Sequence, residues 1–214
     1  MGKEIDIKRM QGRVLVSVTA ITVELGAVMK IAKEISLGAN NAKAIAARAG
    51  DKARGFQPIT NFIDEMARHT LNMVKQINQE ALNISRTAAA EIRAKDAQKR
   101  YEIVLTRVNG AGYTEGFGRS VKTLGQTLED LSYRISKQMQ HLDDLLENIN
   151  NDMRATTAIS SSCRVEASRA EEFSEGLSVV ADNLEQAVQI IKKHMKTCSS
   201  MLQEAIAIRR QLAA

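Results

Sequence analysis

The sequence predicts an all-α protein, an elongated antiparallel four-helix coiled-coil bundle made of two tandem helical hairpins. Apolar residues recur at alternating spacings of three and four along most of the 214-residue chain, which is the pattern of long helices packed side by side. Aromatic residues make up only 3%, with no Trp and a single Pro, which disfavours a core built on aromatic rings and tight turns. Charges of both signs are interspersed throughout, as on solvated helix surfaces.

The first helix carries the pattern continuously up to a break. The break is "RAGDKARGFQP", residues 48–58, where two glycines and a proline predict a bend near 50–57. Pro58 falls in the first turn of the next helix, where its missing N–H costs nothing. The apolar positions before the break are Val14, Val18, Ile21, Leu25, Val28, Ala32, Ile35, Ala39, Ala42 and Ala46.

The second helix completes the first predicted hairpin, residues 1–108. Nothing breaks a helix before Asn109, and "NGAGYTEGFG" predicts a linker over 109–118. The apolar positions of this helix begin with Ile59, Ile63, Met66, Thr70, Met73 and Ile77.

The third and fourth helices form the second predicted hairpin, residues 119–214, with a bend at "RAEEFSEG" near 170–176. On the fourth helix the spacing places His194 on the apolar seam, as a core or register-setting polar residue. The predicted seam of the third helix is Phe117, Val121, Leu124, Leu128, Leu131, Ile135, Leu142, Leu145 and Ile149. That of the fourth is Leu177, Val180, Leu184, Ala187, Ile191, His194, Cys198, Met201, Ala205, Ile208 and Leu212.

Several functional classes are disfavoured by what the sequence holds. Its two cysteines, Cys163 and Cys198, both fall on apolar positions and predict buried thiols too far apart to form a disulfide. Three histidines and no Glu-x-x-His motif predict neither a metal site nor a catalytic group, so we expect no enzyme and no cofactor. The net charge of +5 comes without a basic block or an aromatic platform, which argues against nucleic-acid binding. We find no signal-peptide core and no apolar run typical of a membrane span, so we expect a cytoplasmic protein.

The two bends are related by an internal repeat. Shifting the sequence by 121 positions (169 − 48 = 121) places Arg48 on Arg169, Asp51 on Glu172 and Gly55 on Gly176, in the same heptad phase. The chain therefore reads as two related hairpins in tandem.

These bends resemble the hairpin tip of bacterial methyl-accepting chemotaxis proteins. The first copy is "LGANNAKAIAARAGDKARGFQPITNFIDEMARHT", residues 37–70, and the second is "VEASRAEEFSEGLSVVADNLEQAV", residues 165–188. The first copy departs from the family pattern where Ile45 occupies the position of a Glu; the second copy keeps that residue as Glu166. The residues of the first copy that match the family are Asn41, Ala42, Ala46, Ala47, Arg48, Ala49, Gly50, Arg54, Gly55, Phe56 and Ala67.

The resemblance implies a fold and a set of partners. Members of this family build a four-helix bundle from the hairpins of two chains, so a chain with both hairpins is expected to be a monomer that mimics a receptor dimer. The resemblance also implies that the tips dock a chemotaxis coupling protein, a histidine kinase or other receptor tips. The candidate partner-binding residues are Asn41, Arg48, Asp51, Arg54 and Phe56 in the first copy, with Glu166, Arg169, Glu172 and Val179 in the second.

Two further points stay open at the level of sequence. The family is methylated on Glu or Gln pairs flanked by small residues, and Gln203 with Glu204 fits that pattern, although the pair lies closer to its bend than family sites do. The expected function is soluble chemoreceptor-like signalling through tip contacts. The alternative is a divergent helical bundle, structural or ligand-binding, that kept the receptor fold but not the pathway.

Overall fold

The computed structural model describes residues 2–107 and 114–213, and over these ranges it is helical apart from two turns. The α-helices have 48, 52, 55 and 40 residues. A short 3₁₀ turn separates each pair, Gly50–Ala53 in the first and Glu171–Phe173 in the second. The helices are α1 (Gly2–Ala49), α2 (Phe56–Arg107), α3 (Thr114–Ser168) and α4 (Ser174–Ala213). The prediction of an all-α four-helix bundle is confirmed.

Two compact units divide the described chain, and each takes one segment from every helix. The first unit contains residues 1–19, 79–142 and 202–214, and the second contains residues 20–78 and 143–201. In the second unit each helix contacts two neighbours, so the four segments form a closed ring around an apolar core. The contacts between neighbours are Ser36 with Asp64, His69 with Asp152, Thr157 with Lys192, and Glu24 with His194.

The predicted seam of α1 is confirmed. Every apolar position predicted on it from Val14 to Ala46 is buried, and none is more than 8% exposed. Towards the first turn these positions are filled by Ala39, Ala42 and Ala46, whose small side chains bury little area each.

The prediction for α4 is half wrong. Leu177 and every seventh residue after it up to Ala205 are buried as predicted. From Ala181 to Leu202 the second line of the seam runs one residue later than predicted, because apolar residues flank the Leu177 line on both sides and the spacing alone does not say which side faces the neighbouring helices. His194 is therefore at the edge of the core, and its neighbour Met195 fills the seam position. The buried second line is Ala181, Val188, Met195 and Leu202. Ile208, further along the predicted line, is buried as predicted.

Two other boundaries differ from the sequence-based expectation. The second break is shorter than predicted, because Ser174–Gly176 already belong to α4. Of the predicted linker at 109–118, residues 109–113 lie outside the described ranges, and residues 114–118 belong to α3. The division into two hairpins stays a prediction, since both compact units cut across it.

The two turns follow the same backbone course at the predicted offset. Gly50 and Glu171 lie 121 positions apart (171 − 50 = 121) and both have left-handed backbone angles, with φ of 58° and 49°. Phe56 and Leu177, at the same offset, are both fully buried directly after the turns. Pro58 lies in the first turn of α2, as predicted.

One finding departs from the expectation about membrane segments. Within the described residues, the helical stretch Arg9–Ala53 contains an 18-residue window with a mean hydropathy of 1.8, long and apolar enough by composition to cross a membrane. Only 28% of that window is buried in the fold. Exposed aliphatic side chains such as Val16 and Val23 explain the low buried fraction, since α1 is apolar on its outer side as well as on its buried one.

Candidate interaction surface at the tip

The tip of the second unit comprises residues 41–58 and 162–179, which surround the two turns. Most of the side chains predicted to bind partners are exposed there. Val179 is 53% exposed, and Glu166 is partly buried. The remaining exposed candidates are Asn41, Arg48, Asp51, Arg54, Arg169 and Glu172.

Phe56 does not belong with them. Its ring is 0% exposed and lies in the core beneath the first turn. The first residue after the turn points inwards because α2 begins there and its seam starts at once. Phe56 is therefore a core residue, and its assignment as a docking group is corrected.

Glu166 is held by two neighbours. Its carboxylate accepts a hydrogen bond from Arg169 Nη1 at 3.0 Å, a contact between residues three apart on one helical face. It also lies directly against Gly55, where an added Cβ would overlap the carboxylate. A larger residue at position 55 would move the flexible end of the Glu166 side chain away from this position.

A lysine joins the two turns, and the sequence did not single it out. Lys52 Nζ lies 2.6 Å from Glu171 and 3.7 Å from Glu172. The hydrogen bond that Lys52 donates to Glu171 is the main cause that raises the pKa of Lys52 above its ordinary value. The only sequence signal was the position of Lys52 inside the charged run between the two glycines.

Equivalent ion pairs tie the helices together behind each turn. In the first copy Lys43 lies 3.4 Å from Asp64. In the second, at the same offset, Arg164 pairs with Glu185 and also lies 2.9 Å from Asp182. In the first pair the carboxylate is nearly buried, because the Asp64 side chain is only 9% exposed. The Glu185 side chain is 39% exposed.

Three side chains hold the Asp64 carboxylate behind the first turn. It accepts hydrogen bonds from the Ser36 hydroxyl at 2.7 Å and from Lys43 at 3.4 Å, and it lies 3.0 Å from Arg68. The bond from Ser36 is the main cause that lowers the pKa of Asp64 below its ordinary value, and Arg68 and Lys43 act in the same direction. These contacts favour the ionised form.

A groove of about 600 Å³ lies between α1 and α4 in the second unit. It brings together Asn41 and Val179, two of the predicted partner-binding residues from different copies. Most of its lining is aliphatic, with Ile190 39% exposed at its edge. The lining residues used below are Ile31, Glu34, Ile45, Gly176, Val179 and Ile190.

A second depression, of about 680 Å³, has a different chemistry. Within it His69 Nδ1 lies 2.7 Å from Asp152 Oδ2, which links α2 to α3. The depression is lined mainly by charged and polar side chains, among them Lys43, Asp64, Glu65, Arg68, His69 and Asp152.

The two thiols are buried in the core. Cys163 and Cys198 are each 0% exposed and free, as predicted. Burial raises the pKa of Cys163 to about 11, and burial together with the nearby Glu24 carboxylate raises that of Cys198 to about 12. Neither thiol carries the thiolate that nucleophilic chemistry needs at neutral pH.

Other predicted sites receive no support of their own from the fold. Gln203 and Glu204 are exposed on α4 in the first unit, where Glu204 accepts a hydrogen bond from Arg13 at 2.5 Å. Methylation there stays a prediction. Over residues 2–107 and 114–213, no group of three or more His, Cys, Asp or Glu side chains is arranged to hold a metal ion. The absence of a catalytic or cofactor role likewise stays a prediction.

Comparison with known proteins supports a chemoreceptor-like helical domain. The chain is 27% identical over 169 residues to the methyl-accepting chemotaxis protein CtpH of Pseudomonas aeruginosa. The match covers 78% of this chain and 29% of that protein, so the chain spans less than a third of its relative's length. No protein-family profile matches the chain.

Proposed function

We propose that the protein is a chemoreceptor-like signalling protein that works through contacts of its tip with a chemotaxis coupling protein, a histidine kinase or receptor tips. The observation that carries this proposal is the group of exposed charged side chains at the two turns, in the positions where the sequence resembles receptor tips. Arg48, Asp51 and Arg54 surround the first turn, and Arg169 and Glu172 the second. The likeness to a chemotaxis protein supports the same assignment.

We further propose that the single chain replaces a receptor dimer, as a monomer without enzymatic activity in the cytoplasm. Exchanging the two copies turns several contacts into one another. Lys43 with Asp64 corresponds to Arg164 with Glu185, and Gly55 against Glu166 corresponds to Gly176 against Ile45. Such exchange is the relation that a two-fold axis imposes on a homodimer.

Binding to the coupling protein tests the proposed function. The full chain should bind the purified coupling protein in a titration, and Arg48→Ala or Glu166→Ala should abolish binding. Arg93→Ala is the control, because Arg93 is also exposed but belongs to the first unit rather than to the tip of the second. Equal loss in the Arg93 variant, or no binding by the unchanged chain, contradicts the proposal.

Light scattering tests the monomer. The expected mass is that of one chain, 23.5 kDa. A stable dimer would contradict the claim that one chain replaces two.

The alternative, a helical bundle that has left the pathway, has one observation in its favour. The aliphatic groove between α1 and α4 has the volume typical of small-molecule sites, about 600 Å³. That alternative gains if chemotaxis partners do not bind and a small molecule such as haem copurifies with the chain.

A further inference from the structure

The offset of 121 residues that relates the two copies makes the α1–α4 surface equivalent to the α2–α3 surface. These two surfaces carry different side chains. The groove between α1 and α4 is lined by Ile31 and Ile190. The residues 121 positions after Ile31 and before Ile190 are Asp152 and His69 (152 − 31 = 190 − 69 = 121), which are hydrogen-bonded to each other. An aliphatic opening on one surface therefore corresponds to a polar bridge between helices on the other.

The same difference continues nearer the turns. In the α1–α4 groove an added Cβ on Gly176 would lie 3.7 Å from the Ile45 side chain, an ordinary apolar contact. On the α2–α3 surface the equivalent of Ile45 is Glu166, whose carboxylate lies against Gly55. At both levels the α1–α4 surface is aliphatic and the α2–α3 surface is charged.

One charge lies in the aliphatic groove. Glu34 is exposed and lines the groove, and within the described residues it forms no ion pair or hydrogen bond. Its equivalent on the other surface is Ala155 (155 − 34 = 121), which brings no charge there. An aliphatic surface with one unpaired carboxylate fits a partner that presents aliphatic side chains and a basic residue.

We propose that the second unit has a single docking face, the α1–α4 groove, which extends from the tip and takes one partner molecule through an aliphatic patch with a basic residue opposite Glu34. The equivalent α2–α3 face is closed to such a patch, because inserting it would break the His69–Asp152 bridge and bury its charged groups. This inference rests on the proposed function and adds to it a face and a stoichiometry: one partner for each chain, where a symmetric dimer would present two faces.

Calorimetric titration of the full chain with the purified coupling protein tests the face and the stoichiometry. We expect one molecule bound per chain, and Ile190→Asp should weaken binding more than about tenfold because it places a charge against the aliphatic patch. Val179→Asp is a second variant at a more exposed position, 53% exposed. His69→Ala, at the position equivalent to Ile190, is the matched control and should leave affinity unchanged. Two molecules per chain, or equal losses in the Ile190 and His69 variants, would overturn the single face.

The charge is tested separately. Glu34→Gln should weaken binding about three- to tenfold and flatten its dependence on salt, as removal of an interfacial charge at the rim does. An unchanged affinity and salt dependence would overturn the assignment of the basic residue.

A neutral dye separates failure of this inference from failure of the proposed function. If the coupling protein does not bind, the proposed function fails, and Nile red still reports on the aliphatic face. We expect one dye site per chain, lost in Ile190→Asp and kept in His69→Ala. The double variant His69→Ile/Asp152→Ile, which copies the aliphatic pair onto the other face, should bind a second dye molecule. No dye site in the unchanged chain, or a single site in the double variant, would contradict the inference.

Discussion

The two turns of the tip have the same backbone course but different side chains. The first turn places Gly50 at a φ of 58°, which glycine adopts without steric cost, whereas the second turn places Glu171 at 49°. A non-glycine residue in this region costs on the order of 1 kcal/mol or more. Glu171 is also the carboxylate that Lys52 contacts from the first turn. The two copies therefore keep the same backbone geometry at the turn, whereas the side chains on that backbone differ in charge.

The largest expected effect is the loss of stability when the buried residue directly after each turn is truncated, since burial at this position is shared by the two copies. Phe56 and Leu177 lie at the same offset after the turns and are both fully buried. Because each replacement by alanine leaves a cavity, Phe56→Ala should lower the free energy of unfolding by about 3–5 kcal/mol and Leu177→Ala by about 2–5 kcal/mol. Urea denaturation followed by circular dichroism measures both changes.

Val179→Ala is the control for these two variants. Its side chain is 53% exposed two residues after Leu177, so its replacement should change stability by less than about 0.5 kcal/mol. A Phe56 variant as stable as the Val179 variant would show that the ring is not packed in the core.

The next largest effect is a difference in stability between variants of the two equivalent carboxylates behind the turns, Asp64 and Glu185. Asp64 has three partners and its side chain is 9% exposed, whereas the side chain of Glu185 is 39% exposed. Asp64→Asn should cost about 1.5–3 kcal/mol, the usual range for hydrogen bonds to a charged group, and Glu185→Gln should cost less. The measurement is urea denaturation at pH 7.

The pH dependence of the same variant has a definite sign. The folded-state pKa of Asp64 lies below its ordinary value of 3.8, so its stabilisation is present above that value and is lost as the pH falls through the lower folded-state value. The unchanged chain should therefore lose more stability between pH 5 and about pH 2 than Asp64→Asn does. Identical acid transitions would mean that Asp64 is not held as its contacts indicate.

The sequence predicted the helices and the turns well because both depend on local chemistry. The α1 seam from Val14 to Ala46 needs only the heptad spacing, and the first break needs only Gly50, Gly55 and Pro58. The match of residues to a receptor tip was also readable, because it lies in short continuous segments.

The orientation and pairing of individual side chains could not be predicted from the sequence, because they depend on contacts with other helices. His194 was placed in the core because its spacing fits, but in the fold it lies beside Glu24 on α1, at 2.6 Å. Phe56 matches the receptor motif, yet whether it points outwards depends on where α2 begins. The pairing of His69 with Asp152, 83 residues apart, leaves no local signal, and so the difference between the two faces of the tip needed the structure.

A smaller effect tests the turns themselves. Gly50→Ala should destabilise the protein by about 1 kcal/mol, because it places a side chain at a left-handed residue. Glu171→Gly should stabilise it by less than that, because relief of the left-handed cost is partly offset by the greater freedom of glycine in the unfolded chain and by loss of the exposed contact with Lys52. An added Cβ at Gly50 meets no atom within 4 Å, so crowding does not complicate the first variant. Thermal unfolding of both variants beside the unchanged chain gives the two signs. Shifts in the same direction would mean that the turns do not share their backbone course in solution.

The smallest effect is expected where the two turns touch. Lys52 lies 2.6 Å from Glu171, but the side chains are 47% and 65% exposed, and pairs of this kind lose most of their attraction to solvent and to side-chain entropy. The raised pKa of Lys52 means that any stabilisation is present below its ordinary value of 10.5 and is lost as the pH rises through the higher folded-state value. Lys52→Met should therefore shift the midpoint of thermal unfolding at pH 7 less than Gly50→Ala does, and 1 M salt should remove the difference between Lys52→Met and the unchanged chain. A larger shift for Lys52→Met would make this lysine, rather than the backbone, the main link between the two copies at the tip.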